Sequence, residues 1–332
     1  MKKILIITYY WPPKGGVGVQ RWLKLTKYLH KYNYKPIIYT AENGITPLED
    51  NSLANTIPTD LEILKKKIFE PQKLLTFFNK KKPKSDLLIK QKNSVLNKIL
   101  IWFRANFFIP DSRCFWIKPS IKFLSHYLKK NPVDVIISTG PPHSMHMIAL
   151  SLKSRFNIKW IADFRDPWTD IEYFDNLPLL SSVREKHEQL EKKVLMHSDL
   201  TLSVSSSWAD HMSILGAKKI AVLTNGYDPD DYHSKSLNFK DKGTNFTIGH
   251  FGLYNKLRDH SFFWKAIQKI STENSDFSNN LKFLFAGEVH EQFFNILKNY
   301  QVDHKLDYYE QLSHHDSINS MMRCDLLLVT QG

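Results

Sequence analysis

The sequence predicts an α/β protein with two domains, each built on a doubly wound parallel sheet. Short apolar runs alternate with helical segments over the first 230 residues, an order typical of such sheets. After a polar stretch, the same alternation starts again. A length of 332 residues also suits two domains of ordinary size.

Continuous apolar runs predict the strands of the first domain, because central parallel strands are buried on both faces. These predicted strands are 3–8, 35–40, 133–139, 159–164, 200–204 and 218–224. Apolar periodicity and charge pattern predict helices at 15–31, 143–155 and 184–197. We assign residues 1–232 to this domain. We expect it to be the domain that binds the acceptor substrate of the reaction described below.

A polar linker, 233–245, is predicted to lead into a second domain at 246–332. Its predicted strands are 246–251, 281–286, 305–309 and 325–329, and its predicted helices are 257–270 and 291–300. We expect this domain to be partial, because a domain of this type usually has roughly 150 residues.

The composition excludes several classes of protein. Hydrophobic residues make up 42% and charged residues 24% of the chain, which excludes disordered and fibrous proteins. The two cysteines, Cys114 and Cys324, are too few for a disulfide framework or a zinc cluster. No apolar run reaches the roughly 18 residues of a membrane span. We therefore expect a cytoplasmic protein, either free or bound to the inner face of the cell membrane.

The net charge of +13 is concentrated in one block, residues 62–130. This block has 17 lysines and arginines but four acidic residues, whereas the rest of the chain is balanced. Lysine clusters alternate with aromatic residues, and apolar residues from Val95 to Phe107 repeat at helical spacing. The block predicts either a surface that meets an anionic membrane or a solvated face over a core helix. We expect no nucleic-acid partner, since no nucleic-acid motif accompanies the charge.

Several strand ends contain residues suited to binding a phosphate or a sugar. Gly15 and Gly16 join the first strand to a helix, where glycines and the helix N-terminus favour an anion. Arg21 stands where a dinucleotide-binding fingerprint has its third glycine, so nicotinamide binding is disfavoured. The alternative is that these glycines only permit a tight turn.

Three charges crowd the end of the strand at 159–164: Asp163, Arg165 and Asp166. They form either a structural ion pair or a cleft that binds a sugar hydroxyl and a phosphate. His143 begins a helix at the neighbouring strand end and is a candidate hydrogen-bond donor. Arg258, near the start of a helix in the second domain, is a candidate phosphate ligand. No spacing typical of a metal site is present.

Six separated segments together resemble glycosyltransferase family 4-like proteins of bacterial surface-polysaccharide pathways. They are TYYWPPKGGVGVQRWLKLTKYL, FFIPDSRCFW, STGPPHSMHMIAL, WIADFRDPWTD, LTNGYDPDDY and IGHFGLYNKLRD, in the family's order. The resemblance implies the GT-B fold, in which two Rossmann-like domains face a cleft. It also implies a retaining glycosyltransferase that uses a nucleotide-sugar as substrate, with neither a cofactor nor an active-site metal.

The resemblance also implies residue roles. Gly15 and Gly16 match the loop that approaches the donor diphosphate, and Arg258 matches the arginine that binds it. Arg165 stands near the position where many relatives have a catalytic-site histidine. The predicted donor-binding residues are Gly15, Gly16, Asn225, Gly252, Arg258 and Gly287. The predicted catalytic residues are Asp163, Arg165, Asp166 and His143.

Two glutamates that the family has in its second domain would follow position 332, so we expect a truncated chain, either a fragment or a natural form. The expected activity is sugar transfer from a nucleotide-sugar to a glycan or lipid-linked glycan acceptor. The alternatives are a nucleotide-sugar epimerase of the same fold and a non-catalytic remnant.

Overall fold

The computed structural model describes residues 1–46, 48–71, 95–232 and 244–330. The chain divides into two compact units, Met1–Gly226 and Tyr227–Gly332. Residues 227–232, assigned above to the first domain, group with the second unit, and most of the predicted linker lies outside the described residues.

The first unit contains a seven-stranded parallel sheet in the order β3-β2-β1-β4-β5-β6-β7. Its strands are β1 Lys2–Ile7, β2 Tyr34–Ala41, β3 Glu62–Lys66, β4 Val135–Gly140, β5 Lys159–Phe164, β6 Leu200–Ser203 and β7 Ile220–Val222. Six of them correspond to predicted strands, and β3 was not predicted. Because every described pair is parallel, all carboxyl ends meet at one edge of the sheet.

Helices connect these strands. Those described are α1 Val17–Leu29, α2 Val95–Phe107, α3 Cys114–Lys130, α4 Ser144–Phe156, α5 Glu172–Asp175, α6 Ser181–His197 and α7 Ser206–Ile214. Short 3₁₀ turns occupy His30–Tyr32 and Asn51–Thr56. The helices predicted near α1, α4 and α6 and the helical spacing at α2 are confirmed within two or three residues.

Strand β1 shows why its sequence is continuously apolar. Ile4 and Ile6 pack with Trp22 of α1 in a core on one face of the sheet. Leu5 and Ile7 pack with Trp116 of α3 in a core on the other face. Alternate side chains of one strand therefore fill two cores, as expected for a sheet covered on both sides.

The second unit contains a smaller parallel sheet, in the order β10-β9-β8-β11. Its strands are β8 Phe246–Phe251, β9 Leu281–Ala286, β10 Leu306–Tyr309 and β11 Leu326–Leu327. Its described helices are α8 Ser261–Glu273, α9 Ser275–Asn280, α10 Phe293–Asn299 and α11 His314–Met321, with 3₁₀ turns at Pro229–Asp231, Lys256–Arg258 and Asp303–Lys305. An aromatic core around Trp264, Phe283 and Phe285 holds the unit together.

Across the described parts of the chain, no helix combines the length and the apolar composition needed to cross a membrane.

Candidate functional site

A pocket of about 370 Å³ opens among the loops that follow the strands of the first unit. The lining residues come from the loops after β1, β2, β4, β5 and β7 and from the first turn of α1, and are Tyr10, Gly15, Val17, Gly18, Thr46, Pro141, Arg165, Asp166 and Asn225. Four of the predicted site residues therefore share one pocket. Its position at the carboxyl edge is where ligands bind in open α/β sheets.

The glycine loop forms the wall of this pocket that leads into α1. Gly16 precedes the helix with φ of 96°, in the left-handed region that favours glycine. A Cβ on Gly18 would overlap the Nη1 atom of Arg165, so this glycine allows the arginine to lie against the helix start. Among the residues that the structure describes, no side chain caps α1, so its first N–H groups and its positive dipole end are available to an anion.

Arg165 is held by backbone carbonyls. Its Nε donates to the Gly140 carbonyl at 3.3 Å, and its Nη2 donates to the Pro141 carbonyl. The guanidinium carbon lies 5.7 Å from the centre of the Tyr10 ring. Burial lowers the pKa of the guanidinium, with neighbouring acids opposing the shift. The loops thus fix a positive charge at the pocket wall.

Asp166 is the carboxylate of this pocket. Within the described residues, its side chain has no hydrogen-bond partner. Burial raises the pKa of its carboxyl, and the charge of Arg165 partly opposes that increase. A half-buried carboxylate of raised pKa is able to accept a hydrogen bond or a proton from a substrate hydroxyl.

Asp163, three residues earlier, has a different environment. It is fully buried, and its Oδ1 accepts a 2.8 Å hydrogen bond from Arg21 Nη2. Its Oδ2 accepts from Trp22 Nε1 at 2.7 Å, from Thr139 Oγ1 at 2.8 Å and from Arg21 Nε at 3.3 Å. Four donors occupy this carboxylate, which favours the structural ion-pair alternative at this position.

The sequence reasoning missed Arg21 as a site residue. Besides Asp163, its guanidinium donates to the carbonyls of Leu223 at 2.9 Å and Thr224 at 3.2 Å. It also donates to Oδ1 of Asn225 at 3.1 Å. Arg21 therefore ties the first helix to the end of β5 and to the loop after β7. The only sequence signal is its place one turn into the helix after the glycine loop.

His143 is buried at the start of α4, with 6% of its surface exposed. Its ring stacks on Trp168, with centres 4.4 Å apart and an angle of 4° between the planes. Burial lowers its pKa well below the usual value, so the imidazole is neutral. Within the described part of the chain, its Nδ1 has no hydrogen-bond partner. His143 does not line the pocket of the first unit.

The second unit brings its two predicted glycines together. Gly252 follows β8 with φ of 142°, and Gly287 follows β9 with φ of 131°. The Gly252 N–H donates to the Ala286 carbonyl at 2.8 Å, and a Cβ on Gly287 would overlap the Gly252 carbonyl. Both φ values lie in the region that favours glycine, and at Gly287 a side chain would also collide with the Gly252 backbone, whereas the space around Gly252 is open.

Arg258 lies in the 3₁₀ turn that follows Gly252. Its Nη1 donates to the Leu253 carbonyl at 3.1 Å, and its backbone N–H is capped by Asn255. One of its five N–H donors is thus used to fix the side chain at the carboxyl end of β8.

Among the described residues, no group of three or more histidine, cysteine, aspartate or glutamate side chains is placed to hold a metal ion.

No protein-family model and no curated protein match this chain. Solved structures do. Sucrose-phosphate synthase from Thermosynechococcus elongatus superposes with a TM-score of 0.57 at 11% identity, over 98% of this chain and 75% of that chain. An Escherichia coli trehalose-6-phosphate enzyme bound with UDP-2-fluoro glucose gives 0.55 at 13% identity, over 98% and 78%. UDP-GlcNAc 2-epimerase from Methanocaldococcus jannaschii gives 0.51 at 12% identity, over 98% and 77%.

Identities this low show the fold alone. The two parallel-sheet units and these similarities agree with the fold predicted from the sequence. The chain has the GT-B fold, with two Rossmann-like domains of which the second is smaller.

Proposed function

We propose that this chain is a retaining glycosyltransferase, similar to family 4 enzymes, that moves a sugar from a nucleotide-sugar to a glycan or lipid-linked glycan acceptor in cell-surface polysaccharide biosynthesis. One observation carries the proposal: Asp166, which has no hydrogen-bond partner among the described residues, lies beside the fixed Arg165 in the pocket of the first unit. This pair offers a hydroxyl acceptor and a positive charge in one place.

In this proposal Asp166 accepts the hydrogen bond of the attacking hydroxyl. Its raised pKa makes it a better proton acceptor than an exposed aspartate, provided that it is ionised at the working pH. Arg165 faces the negative charge of the donor or of the acceptor. Asp163 holds the β5 loop in place through its four hydrogen bonds and does not touch substrate.

The leaving diphosphate develops negative charge as the glycosidic bond breaks. In the second unit, the group proposed to stabilise this charge is the guanidinium of Arg258. In the first unit, the first N–H groups of α1, after Gly15 and Gly16, are proposed to bind an anion. Fixed donors of this kind stabilise developing charge without having to reorganise. Among the similar structures, one holds a UDP-sugar analogue, which supports a nucleotide-sugar as the donor proposed here.

Donor binding tests the role of Arg258. Loss of one charge-assisted contact to a diphosphate costs about 1.5–3 kcal/mol of binding free energy. Arg258→Ala should therefore raise the Kd for UDP- or GDP-sugars about 10- to 150-fold, as measured by titration calorimetry. Lys256→Ala is the matched control, because Lys256 lies exposed in the same 3₁₀ turn. An unchanged Kd for Arg258→Ala would remove this residue from the site.

Turnover tests the role of Asp166. Asp166→Asn keeps the shape but removes the proton acceptor, so transfer should fall about 100-fold or more while donor Kd stays nearly constant. Asp210→Asn, on an exposed carboxylate of α7, should leave both unchanged. An Asp166→Asn variant with normal turnover, or one that loses its circular-dichroism spectrum, would favour a structural role.

The similarity to UDP-GlcNAc 2-epimerase supports a second candidate. An epimerase converts UDP-GlcNAc to its 2-epimer without any acceptor, whereas a transferase releases nucleotide only as sugar is transferred. Separation of the nucleotide-sugars after incubation with UDP-GlcNAc alone distinguishes the two. A folded chain that binds none of the nucleotide-sugars would favour the non-catalytic alternative.

A further inference from the structure

The first unit exposes a continuous group of aromatic side chains on and beside α2. We call it the aromatic surface; it consists of Phe69, Trp102, Phe103, Phe107, Phe108 and Phe115. Phe107 is 59% exposed, Phe69 59% and Phe103 47%. A run of adjoining exposed rings on one protein surface marks a binding region, because isolated exposed apolar residues are ordinary and contiguous ones are not.

The rings of this surface contact one another in a chain. Phe103 stacks on Phe107 with ring centres 4.5 Å apart, and Trp102 meets Phe107 at 6.1 Å. Phe103 also meets Phe108 at 6.1 Å. Phe108 meets Phe115 at 5.4 Å, and Phe115 meets Phe69 at 5.8 Å. The surface therefore extends from α2 across the start of α3 to the segment after β3.

The position of α2 is fixed even though its aromatic side is open. Asn106 is 6% exposed, and its Nδ2 donates to the Pro178 carbonyl at 2.9 Å. Its Oδ1 accepts from the Leu180 N–H at 2.8 Å. These two bonds anchor the C-terminal half of α2 to the loop before α6, so the exposed rings are presented by an ordered helix.

The charge around the surface indicates what covers it. Helices α2 and α3 contain six lysines and arginines and no aspartate or glutamate. Two copies of such a surface would bring like charges together, which disfavours self-association. An anionic bilayer instead offers negative headgroups to the lysines and an apolar interior to the rings.

We propose that the aromatic surface docks this chain on an anionic lipid bilayer, with the rings of Trp102, Phe103 and Phe107 inserted at the level of the headgroups. Lys98 on α2 and Lys67, two residues before Phe69, meet the lipid phosphates. This inference does not depend on the chain being a transferase, since it rests on a surface that does not include the pocket.

Vesicle co-sedimentation tests the proposal with the full chain. The parent should bind vesicles containing phosphatidylglycerol more tightly than pure phosphatidylcholine vesicles, and salt should weaken that binding. Replacing Trp102, Phe103 and Phe107 together by alanine should lower the partition coefficient about tenfold for each ring. The matched control replaces three exposed apolar residues outside the surface, Tyr32, Ile214 and Phe262, by alanine.

Charge is tested separately. Lys67→Gln with Lys98→Gln should weaken binding about 25-fold at low salt, since each lysine near an anionic surface contributes about fivefold. Lys192→Gln with Lys193→Gln removes the same charge from exposed positions on α6 and should have little effect. An equal loss in both pairs would mean that only net charge matters and would overturn the proposed surface.

Trp102 provides a direct measurement that does not require the triple variant to fold. It is 40% exposed, whereas the other seven tryptophans are buried or half-buried. Brominated phosphatidylglycerol should therefore quench part of the emission of the parent, and Trp102→Phe should abolish that quenching while retaining binding. Absence of quenching would overturn the proposal. So would a concentration-dependent dimer that the triple variant loses, because a second copy would then cover this surface.

Discussion

Removal of Arg21 should destabilise the first unit more than any exposed arginine would. Its side chain is 3% exposed, and its partner Asp163 is fully buried. In Arg21→Met the carboxylate keeps its bonds from Trp22 and Thr139 but loses two hydrogen bonds and its counter-charge. Breaking a buried ion pair in this one-sided way costs about 3–5 kcal/mol.

The expected loss is large enough to measure by urea unfolding. Seven of the eight tryptophans lie in the first unit, so tryptophan fluorescence follows mainly that unit. For a unit of this size each kcal/mol lowers Tm by about 2–4 °C, so Tm should fall by about 6–20 °C. The control is Arg155→Met on an exposed arginine of α4, which should change the free energy of unfolding by no more than about 0.5 kcal/mol.

A double variant distinguishes the energy of the Arg21–Asp163 ion pair from the energy lost because the aliphatic part of Arg21 no longer packs. Asp163→Asn retains an oxygen for Trp22 and Thr139 and carries no charge that needs Arg21. Arg21→Met with Asp163→Asn should therefore regain at least about 1 kcal/mol relative to Arg21→Met alone, as contacting pairs couple by about 0.5–3 kcal/mol. Strictly additive effects, or a loss below about 1 kcal/mol for Arg21→Met, would refute the buried-pair reasoning.

Two further predictions concern stability. Burial lowers the pKa of His146 to about 3 and that of His187 to about 4. In the unfolded chain both histidines take up a proton below about pH 6.5, so lowering the pH favours unfolding. The free energy of unfolding should therefore be unaffected by these histidines above about pH 6.5 and should fall by about 1–2 kcal/mol per histidine at pH 5. Urea midpoints between pH 7.5 and 4 measure this, and His187→Gln should flatten the slope. Gly287→Ala should lower the free energy of unfolding of the second unit by about 2 kcal/mol or more, whereas Gly226→Ala, with open space around it, should be close to neutral. Urea unfolding followed by circular dichroism, which reports on both units, measures the two variants.

The sheets could be predicted well because parallel strands are buried on both faces. Strands β5, β8 and β9 begin and end where their apolar runs predicted. β3 was missed because it lies at the sheet edge, where Lys65 and Lys66 break the apolar pattern. Helix α3 was missed because Pro119 within it resembles a helix breaker in sequence.

The location of the pocket could be predicted from the sequence, but which charged residues line it and which are buried in the core could not. Parallel strands bring the glycine loop and the Arg165 loop to one edge whatever their separation in sequence. Which aspartate is buried depends on a partner 142 residues away, since Arg21 contacts Asp163 across the sheet end. No local pattern distinguishes that partner from Arg165, which is the nearer arginine in sequence.

The two aspartates and two arginines at this edge form unlike pairs, and the difference lies in their hydrogen bonds. Arg21 and Asp163 satisfy each other in the core, with further bonds to Trp22 and backbone carbonyls. The hydrogen bonds of the Arg165 side chain go to the carbonyls of Gly140 and Pro141, and Asp166 beside it has no hydrogen-bond partner among the described residues. A charge already compensated has little to gain from a substrate, whereas one that lacks a hydrogen-bond partner gains a strong bond on binding. Substitutions of Arg21 or Asp163 should therefore reduce stability more than activity, and substitutions of Asp166 should reduce activity more than stability.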